Sequence, residues 1–484
     1  MTSTGALVVT MLAAPVVGAV AAHRAARPFA VAVASAGVTA AAAAVLSVIG
    51  ATGTTTFGRI ALVDRAGAPF LAAIAVVGLL SVLASPRYLA TASDGFFGAN
   101  AEAFYYQVLL LFWAALLAVP LAPSLAVAWL VIEATTAASA LLVAFTGSRN
   151  ALEAGCKYLV LTTAGLTLAL LGIVILIVAA PGTRTSLAIG TWHTLTLGAV
   201  AVPHKPAAAA FVLILVGLAG KIGWAPVHNW LPDAHSEAPP PVSALLSAAL
   251  LPAVVLVAWR TKSALAPAVG SGLASHVFIG FGLASLAVAV PFLWRPQAWK
   301  RLLAYSSLEH MGVLALGIGF GGPIALAGVT VHVLGHALAK ALGFYTATPL
   351  LELQSATAKR PARNLARESA TVGRAYGLSV LTLSGLPPSP LFVSELFILL
   401  GGVATGHLAV AVIAALLLAL SFLGLAHVLI EGLVGRRPSR EPAAPDRRLA
   451  VLTAGTAAAL AALVGLAIEL PGSAFVDQLV RWSS

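Results

Sequence analysis

Four ionisable side chains stand inside long apolar runs, where a charge is costly. Glu133 lies in WLVIEATTAASALLVAF, Lys221 in LILVGLAGKIGWAPVHNWL, Lys340 in VHVLGHALAKALGF and Glu395 in GLPPSPLFVSELFILLGG. A charged group at the centre of a membrane helix costs at least about 2.5 kcal/mol, so such groups are usually paired or functional. Two carboxylates and two amines that line a wet interior could pass protons along a row. The alternative is a set of buried ion pairs that only fix helix packing.

A buried lysine beside a carboxylate can act as a switch. Burial disfavours the charged form of the lysine, whereas a nearby carboxylate favours it. Movement of the carboxylate, or of its proton, therefore changes the charge of the lysine. Glu133 opposite Lys221 would form such a switch.

His332, His336 and Lys340 are spaced at i, i+4 and i+8, so they share one arc of a helix. Imidazole titrates near neutral pH, which favours a proton relay. Histidines at i and i+4 can also bind zinc, but no third ligand accompanies them in the sequence, so no metal site is predicted. Hydrogen bonds between helices are the remaining interpretation.

Glu309 and His310, in KRLLAYSSLEHMG, are two further polar residues of this kind. They are expected near the cytoplasmic end of a helix, either in proton entry or as interfacial anchors.

The composition places these residues in a membrane. Hydrophobic residues make up 60% of the 484 residues and charged residues 9%, with a mean hydropathy of +0.99. A soluble domain carries about 25% charged residues, so a soluble enzyme is excluded. The net charge of +11 is attributed to basic cytoplasmic loops, and no nucleic-acid partner is expected.

The chain holds a single cysteine, Cys156. It cannot form an intrachain disulfide, and iron–sulfur clusters usually need about four thiolates. Redox chemistry is therefore expected on another chain, no cofactor is predicted here, and Cys156 is expected to be a small core residue.

Apolar stretches of about 20 residues predict an all-α, multi-pass membrane protein with about fourteen spans. The predicted spans are 5–23, 28–49, 69–85, 105–121, 124–146, 155–180, 207–230, 242–259, 273–294, 302–320, 323–348, 375–401, 405–432 and 449–469. Most lysines and arginines fall in connections after odd-numbered spans. This bias predicts those connections in the cytoplasm and both termini on the outer side of the plasma membrane.

Prolines interrupt the seventh and the twelfth span. Pro226 lies in the seventh, and Pro387, Pro388 and Pro390 lie in the twelfth. An unwound turn at membrane depth is tolerated where it lines protein or a wet cavity, and paired interruptions indicate inverted repeats. We expect N-terminal helices over 1–100, repeats of five helices over 101–260 and 261–432, and a basic loop with a final helix over 433–484.

The run KIGWAPVHNWLPDAHSEAPPPVSALLS, residues 221–247, resembles the antiporter-like subunits of respiratory complex I, of multisubunit cation/proton antiporters and of group 4 nickel–iron hydrogenases. WLVIEATTAASALL, KRLLAYSSLEHMG, HALAKALGF and GLPPSPLFVSE occur in the order of that family. The resemblance covers about residues 100–430 and is closest to the hydrogenase-4 component F type.

The resemblance implies fourteen helices, discontinuous helices seven and twelve, and two half-channels joined by a charged axis. It implies that Glu133 pairs with Lys221, that Lys340 is the central lysine and that Glu395 is the ionisable residue of helix twelve. His228, His310, Glu309, His332 and His336 would extend the proton path. Ser247 stands where many complex I members have histidine, so a hydroxyl or water must substitute there.

The leading hypothesis is a proton-translocating membrane subunit that performs no redox step itself. Soluble redox subunits and other membrane subunits of a hydrogenase-like or complex I-like assembly would be its partners. The alternatives are a secondary Na⁺/proton antiporter subunit, a component that energises uptake of inorganic carbon, and a structural scaffold.

Overall fold

The computed structural model describes residues 3–57, 60–91, 98–180, 191–436 and 442–483. Within these ranges, thirteen helices are long and apolar enough to cross a membrane. The predicted all-α, multi-pass fold is therefore confirmed. A short antiparallel hairpin of β1 (Thr55–Phe57) and β2 (Ala61–Val63) connects the second and third helices.

The first half of the chain contributes ten helices to the described structure. They are α1 (Ser3–Arg24), α2 (Pro28–Thr52), α3 (Ala68–Thr91), α4 (Ala101–Leu121), α5 (Leu125–Val143), α6 (Arg149–Ala179), α7 (Trp192–Ala199), α8 (His204–Ile222), α9 (Leu231–Glu237) and α10 (Pro240–Val269).

The second half also contributes ten helices to the described ranges. They are α11 (Ser271–Leu293), α12 (Trp299–Phe320), α13 (Gly322–Tyr345), α14 (Ala347–Leu353), α15 (Leu365–Glu368), α16 (Ala370–Leu383), α17 (Pro390–Ala404), α18 (Leu408–Val434), α19 (Arg447–Glu469) and α20 (Ala474–Ser483).

Both proline-rich spans are interrupted, as predicted. The seventh span ends as α8 at Ile222, where Gly223 has a φ of +77°, and resumes as α9 at Leu231. The twelfth span consists of α16 and α17, which are separated by a turn in which Gly385 has a φ of +67°. Glycines in the left-handed conformation end the first segment of each interrupted span. The grouping into two five-helix repeats stays a prediction.

Two helices form the interior of the bundle. The membrane windows of α10 and α12 are buried throughout by other parts of the chain. Helix α10 also contains a π-helical turn, Leu246–Leu250, a feature that is frequent at functional sites. Helix α6 packs on α8, α11 on α12, and α13 on α3 and α17. Side chains on α10, α12 and α13 therefore meet inside protein, away from lipid.

A buried ion pair joins the hairpin to α10. Arg260 Nη2 lies 2.7 Å from Asp64 Oδ1, and both side chains are almost fully buried. The backbone N–H of Gly67 also donates to Asp64 Oδ1, at 2.8 Å. Because breaking one partner of a buried pair leaves an uncompensated charge, this contact fixes the N-terminal helices against the rest of the bundle.

Candidate functional site

Lys221 lies in the last turn of α8, directly before the interruption, and is fully buried. Its Nζ donates to Thr136 Oγ1 and to Tyr158 Oη, both at 2.6 Å. Ser139 Oγ lies 2.7 Å from Tyr158 Oη and donates its own hydrogen to the Thr135 carbonyl at 2.5 Å. The Tyr158 hydroxyl must therefore donate to Ser139, and a directed chain of hydrogen bonds leads away from the lysine.

Glu133 lies one helical turn before Thr136, on α5, and does not form a direct ion pair with Lys221. Its Oε1 accepts from Thr163 Oγ1 at 3.2 Å, and its Oε2 is buried without a partner among the described residues. The charge of Glu133 nevertheless acts on Lys221. Lys221 is held by Thr136, on the same helix as Glu133, and by Tyr158, whereas Glu133 is held by Thr163.

Lys340 is fully buried in the second half of α13. Its Nζ donates to the Leu303 carbonyl of α12 at 2.6 Å. Ser307 Oγ donates to the same carbonyl at 2.8 Å and lies 2.7 Å from Ser247 Oγ of α10. Because the hydrogen of Ser307 is committed to the carbonyl, Ser247 must donate to Ser307. The Ser247 hydroxyl therefore lies next to the Lys340 group, and its role in a proton path stays a prediction.

Three buried histidines continue the row. His310 Nδ1 lies 3.2 Å from His332 Nε2, and His332 Nδ1 lies 2.9 Å from Ser394 Oγ on α17. His336 Nε2 lies 3.4 Å from the Ser247 carbonyl. The rings of His310 and His336 have centroids 5.1 Å apart. The histidines therefore connect α10, α12, α13 and α17.

The hydrogen-bond partners fix the tautomers of these histidines. Ser394 Oγ donates to the Leu391 carbonyl at 2.8 Å, so it accepts from His332 Nδ1–H. His332 Nε2 is then unprotonated and accepts from His310 Nδ1–H. The Ser247 carbonyl can only accept, so His336 carries its proton on Nε2. The neutral cluster thus has a defined direction, from His310 towards Ser394.

Glu309 and His310 do not lie near a helix end, contrary to the expectation. They occupy the middle of α12 and are 3% and 1% exposed, so interfacial anchoring is excluded. The charge of Glu309 acts on both Lys340 and Glu395. Glu309 is therefore a carboxylate at the centre of the row. The error arose because α12 begins at Trp299, one turn before its predicted start.

Glu395 lies in the second turn of α17 and contacts the interruption itself. A Cβ on Gly385 would lie 2.5 Å from Glu395 Oε2, so the carboxylate rests against the backbone of the turn. Glu395 and Glu133 are both only partly buried within the chain, whereas the lysines between them are fully buried. The two glutamate residues are therefore less enclosed by the chain than the lysines, although Oε2 of Glu133 is itself buried.

His228 is brought to the interruption of the seventh span but is not joined to the row. It lies in the turn between α8 and α9, is partly exposed, and its Nδ1 is buried without a partner among the described residues. No hydrogen bond in the described part of the chain connects it to Lys221 or to the histidine cluster.

His235 was missed by the sequence analysis, although it belongs to the run WLPDAHSEAP. It is fully buried on α9, and neither ring nitrogen has a partner in the described structure. Its ring stacks on Phe344 with a centroid distance of 5.5 Å, and it lies 6.5 Å from the ring of Trp230, which packs on Tyr158 at 4.7 Å. His235 therefore lies between the Lys221 group and the Lys340 group.

The prediction that no third ligand accompanies His332 and His336 was wrong. The structure brings His310 from α12 to them, and the ligand nitrogens of the three residues lie within 4.8 Å of one another. A residue 22 positions away cannot be recognised as a neighbour from helical spacing.

Comparison with known proteins shows similarity over most of the chain. A family model described as NADH:quinone oxidoreductase/Mrp antiporter, TM, matches residues 122–421. A hydrogenase-4 component F homolog from Methylacidiphilum infernorum (isolate V4) is 31% identical over 362 residues, which cover 74% of this chain and 75% of the relative.

Solved structures share the fold. A chain of the membrane-bound sulfane sulfur reductase, an archaeal respiratory membrane complex, matches with a TM-score of 0.86 at 18% identity, covering 98% of this chain and 97% of that chain. A chain of the Mrp complex from Dietzia sp. DQ12-45-1b matches with a TM-score of 0.76 at 22% identity, covering 100% and 96%.

Proposed function

We propose, because this chain belongs to the NADH:quinone oxidoreductase/Mrp antiporter membrane family, that it moves protons across the membrane as one subunit of a larger redox-driven assembly. The single observation that carries the proposal is the row of buried polar groups between the two interrupted helices. It contains two fully buried lysines, a central carboxylate and three histidines, and such groups inside a membrane mark proton relays.

The chain's own residues would move charge in steps. A change of charge at Glu133 alters the energy of a proton on Lys221, because electrostatic interactions are strong where water is excluded. The directed hydrogen bonds from Lys221 to Ser139, and from His310 to Ser394, offer acceptors in sequence. The Leu303 carbonyl only accepts, so it holds Lys340 in place while Ser307 and Ser247 provide the hydroxyls beside it.

The partners and the location form part of the same proposal. Glu133 and Glu395, which stand at the two ends of the row, would couple to neighbouring membrane subunits, and soluble redox subunits would supply the driving reaction. The relative named a hydrogenase-4 component F homolog and the multisubunit complexes that share the fold support this assignment. The membrane would be the plasma membrane, with both termini on its outer side.

Replacement of Lys221 tests the function. In the complex purified with its native subunits and reconstituted into vesicles, Lys221→Gln should lower redox-coupled proton uptake by about 100-fold or more, because a neutral amide cannot accept or release the proton. Proton uptake is followed with a pH-sensitive dye, and electron transfer by the partner subunits is followed separately.

Lys157→Gln provides the matched control. Lys157 lies on the surface of α6, with Glu153 2.7 Å away, and such exposed pairs contribute little. Its replacement should leave proton uptake unchanged. Equal uptake by Lys221→Gln and by the wild type would refute the proposed function. A requirement for Na⁺ in place of a redox substrate would assign the chain to the antiporter alternative.

A further inference from the structure

We propose that His310, His332 and His336 form a binding site for one Zn²⁺ ion inside the bundle. Three histidines with an open fourth position are an established ligand set for this ion. The three side chains come from two helices, are at most 1% exposed, and bring their ligand nitrogens within 4.8 Å of one another. The site does not depend on proton transport by the chain.

Two nitrogen atoms of the cluster are buried without any partner in the described structure. They are His310 Nε2 and His336 Nδ1. Because His310 donates from Nδ1 and His336 from Nε2, both of these atoms carry a lone pair rather than a hydrogen. His332 Nε2 is the third unprotonated nitrogen. Buried acceptors without donors are costly and are commonly explained by a bound ion or water.

The surrounding hydrogen bonds match those around metal-binding histidines. Such a histidine usually donates its other ring N–H to a carbonyl, hydroxyl or carboxylate, which fixes its tautomer and orientation. His332 donates from Nδ1 to Ser394 Oγ, and His336 donates from Nε2 to the Ser247 carbonyl. His336 is therefore oriented with its Nδ1 free, and His332 is oriented with an unprotonated Nε2 that faces His310.

The distances require a small rearrangement. Nitrogens around a tetrahedral Zn²⁺ lie about 3.4 Å apart, given Zn–N bonds of about 2.1 Å. The 3.2 Å separation between His310 Nδ1 and His332 Nε2 already has this length, and His310 binds through Nδ1 once the hydrogen of its ring moves from Nδ1 to Nε2. His336 must approach by side-chain rotation. A protonated Lys340 opposes a cation at this site, and an ionised Glu309 offsets that charge.

Metal binding to the purified full-length chain in detergent tests the proposal. Titration against a fluorescent Zn²⁺ chelator should give one site per chain, and Co²⁺ as a spectroscopic substitute should show the visible absorption of tetrahedral coordination. His332→Gln should weaken Zn²⁺ binding by about tenfold or more. His235→Gln, which alters a buried histidine outside the cluster, should bind Zn²⁺ like the wild type.

A second substitution controls for misfolding of the His332→Gln variant. His336→Cys retains a metal ligand and should add thiolate-to-cobalt absorption to the Co²⁺ spectrum. Absence of a stoichiometric site in the wild type, or equal affinity in His332→Gln and the wild type, would overturn the proposal, as would an unchanged Co²⁺ spectrum in His336→Cys. Because binding is measured without transport, these outcomes are distinct from those of the Lys221 experiment.

Discussion

At the scale of single residues, the polar row has one gap, and His235 occupies it. Among the described residues, no hydrogen bond joins the group around Lys221 to the group around Lys340. His235 lies between them, acted on by the charge of Lys340, with both nitrogens buried and unpartnered. A buried imidazole without partners costs free energy, which water molecules that bridge the two groups would offset.

We therefore expect His235→Phe to separate transport from stability. Phenylalanine preserves the stacking on Phe344 and removes two unsatisfied nitrogens, so the melting temperature should stay the same or rise. Proton uptake in reconstituted vesicles should fall by about tenfold or more, because the row loses its only titratable group in the gap. Uptake at the wild-type rate would show that protons bypass α9.

The two lysines that the sequence analysis proposed for the proton path have a property that the sequence displays. Lys221 and Lys340 are charged side chains within apolar runs, and the structure buries both completely. Tyr158 and Thr136, which hold Lys221, are uncharged and give no such signal. His235 lies in a helix of seven residues, too short to show a periodic pattern. Contacts between distant helices, such as His310 with His332, depend on tertiary packing, which spacing along one helix does not specify.

At the scale of elements, the interruptions bring charged groups to unwound backbone. Lys221 precedes the first interruption by two residues, and the carboxylate of Glu395 lies against the second. Prolines predicted where the helices break, but the ends of the segments follow from glycines with positive φ, which a hydropathy window does not detect. Cys156 shows the same limit, because it was expected in the core and is exposed on α6.

Gly385→Ala should disturb Glu395 as well as the backbone. Any L-residue in the left-handed region costs roughly 1–2 kcal/mol. The added Cβ would also lie 2.5 Å from Glu395 Oε2 and displace the carboxylate. We expect lower thermal stability together with a loss of proton uptake, measured by differential scanning fluorimetry and by the vesicle assay.

Gly406→Ala is the matched control for backbone strain. Its φ is +84°, and a Cβ there would meet nothing within 4 Å. This substitution should lower the free energy of unfolding by a similar amount, because the backbone strain is similar. It should leave proton uptake intact. Equal loss of uptake in both variants would mean that strain, rather than the position of Glu395, governs transport.

At the scale of the whole molecule, the segments that connect the spans contact one another in two separate sets, one on each face. Arg87 pairs with Glu352 and Asp446, and Arg363 pairs with Glu431. These pairs join connections that follow the third, eleventh and thirteenth spans. All of these residues lie in or beside the connections that the distribution of basic residues assigns to the cytoplasm, and that assignment stays a prediction.

The connections after even-numbered spans meet one another in the same way. His204 Nε2 contacts the Val269 carbonyl at 3.2 Å, which joins the connections after the sixth and eighth spans. Trp192 Nε1 donates to the Ala122 carbonyl at 2.8 Å, which joins those after the fourth and sixth. The two sets of connections therefore lie on different faces, and the remaining question is which face is inside.

The excess of basic residues on the first face predicts that it is cytoplasmic. Removal of the single native cysteine by Cys156→Ser gives a background in which one new thiol reports its side. Asn150→Cys, in the exposed first turn of α6, should react with a membrane-impermeant maleimide only in inside-out vesicles. Ser271→Cys, exposed at the start of α11, should react only in right-side-out vesicles. The reverse pattern would place both termini in the cytoplasm.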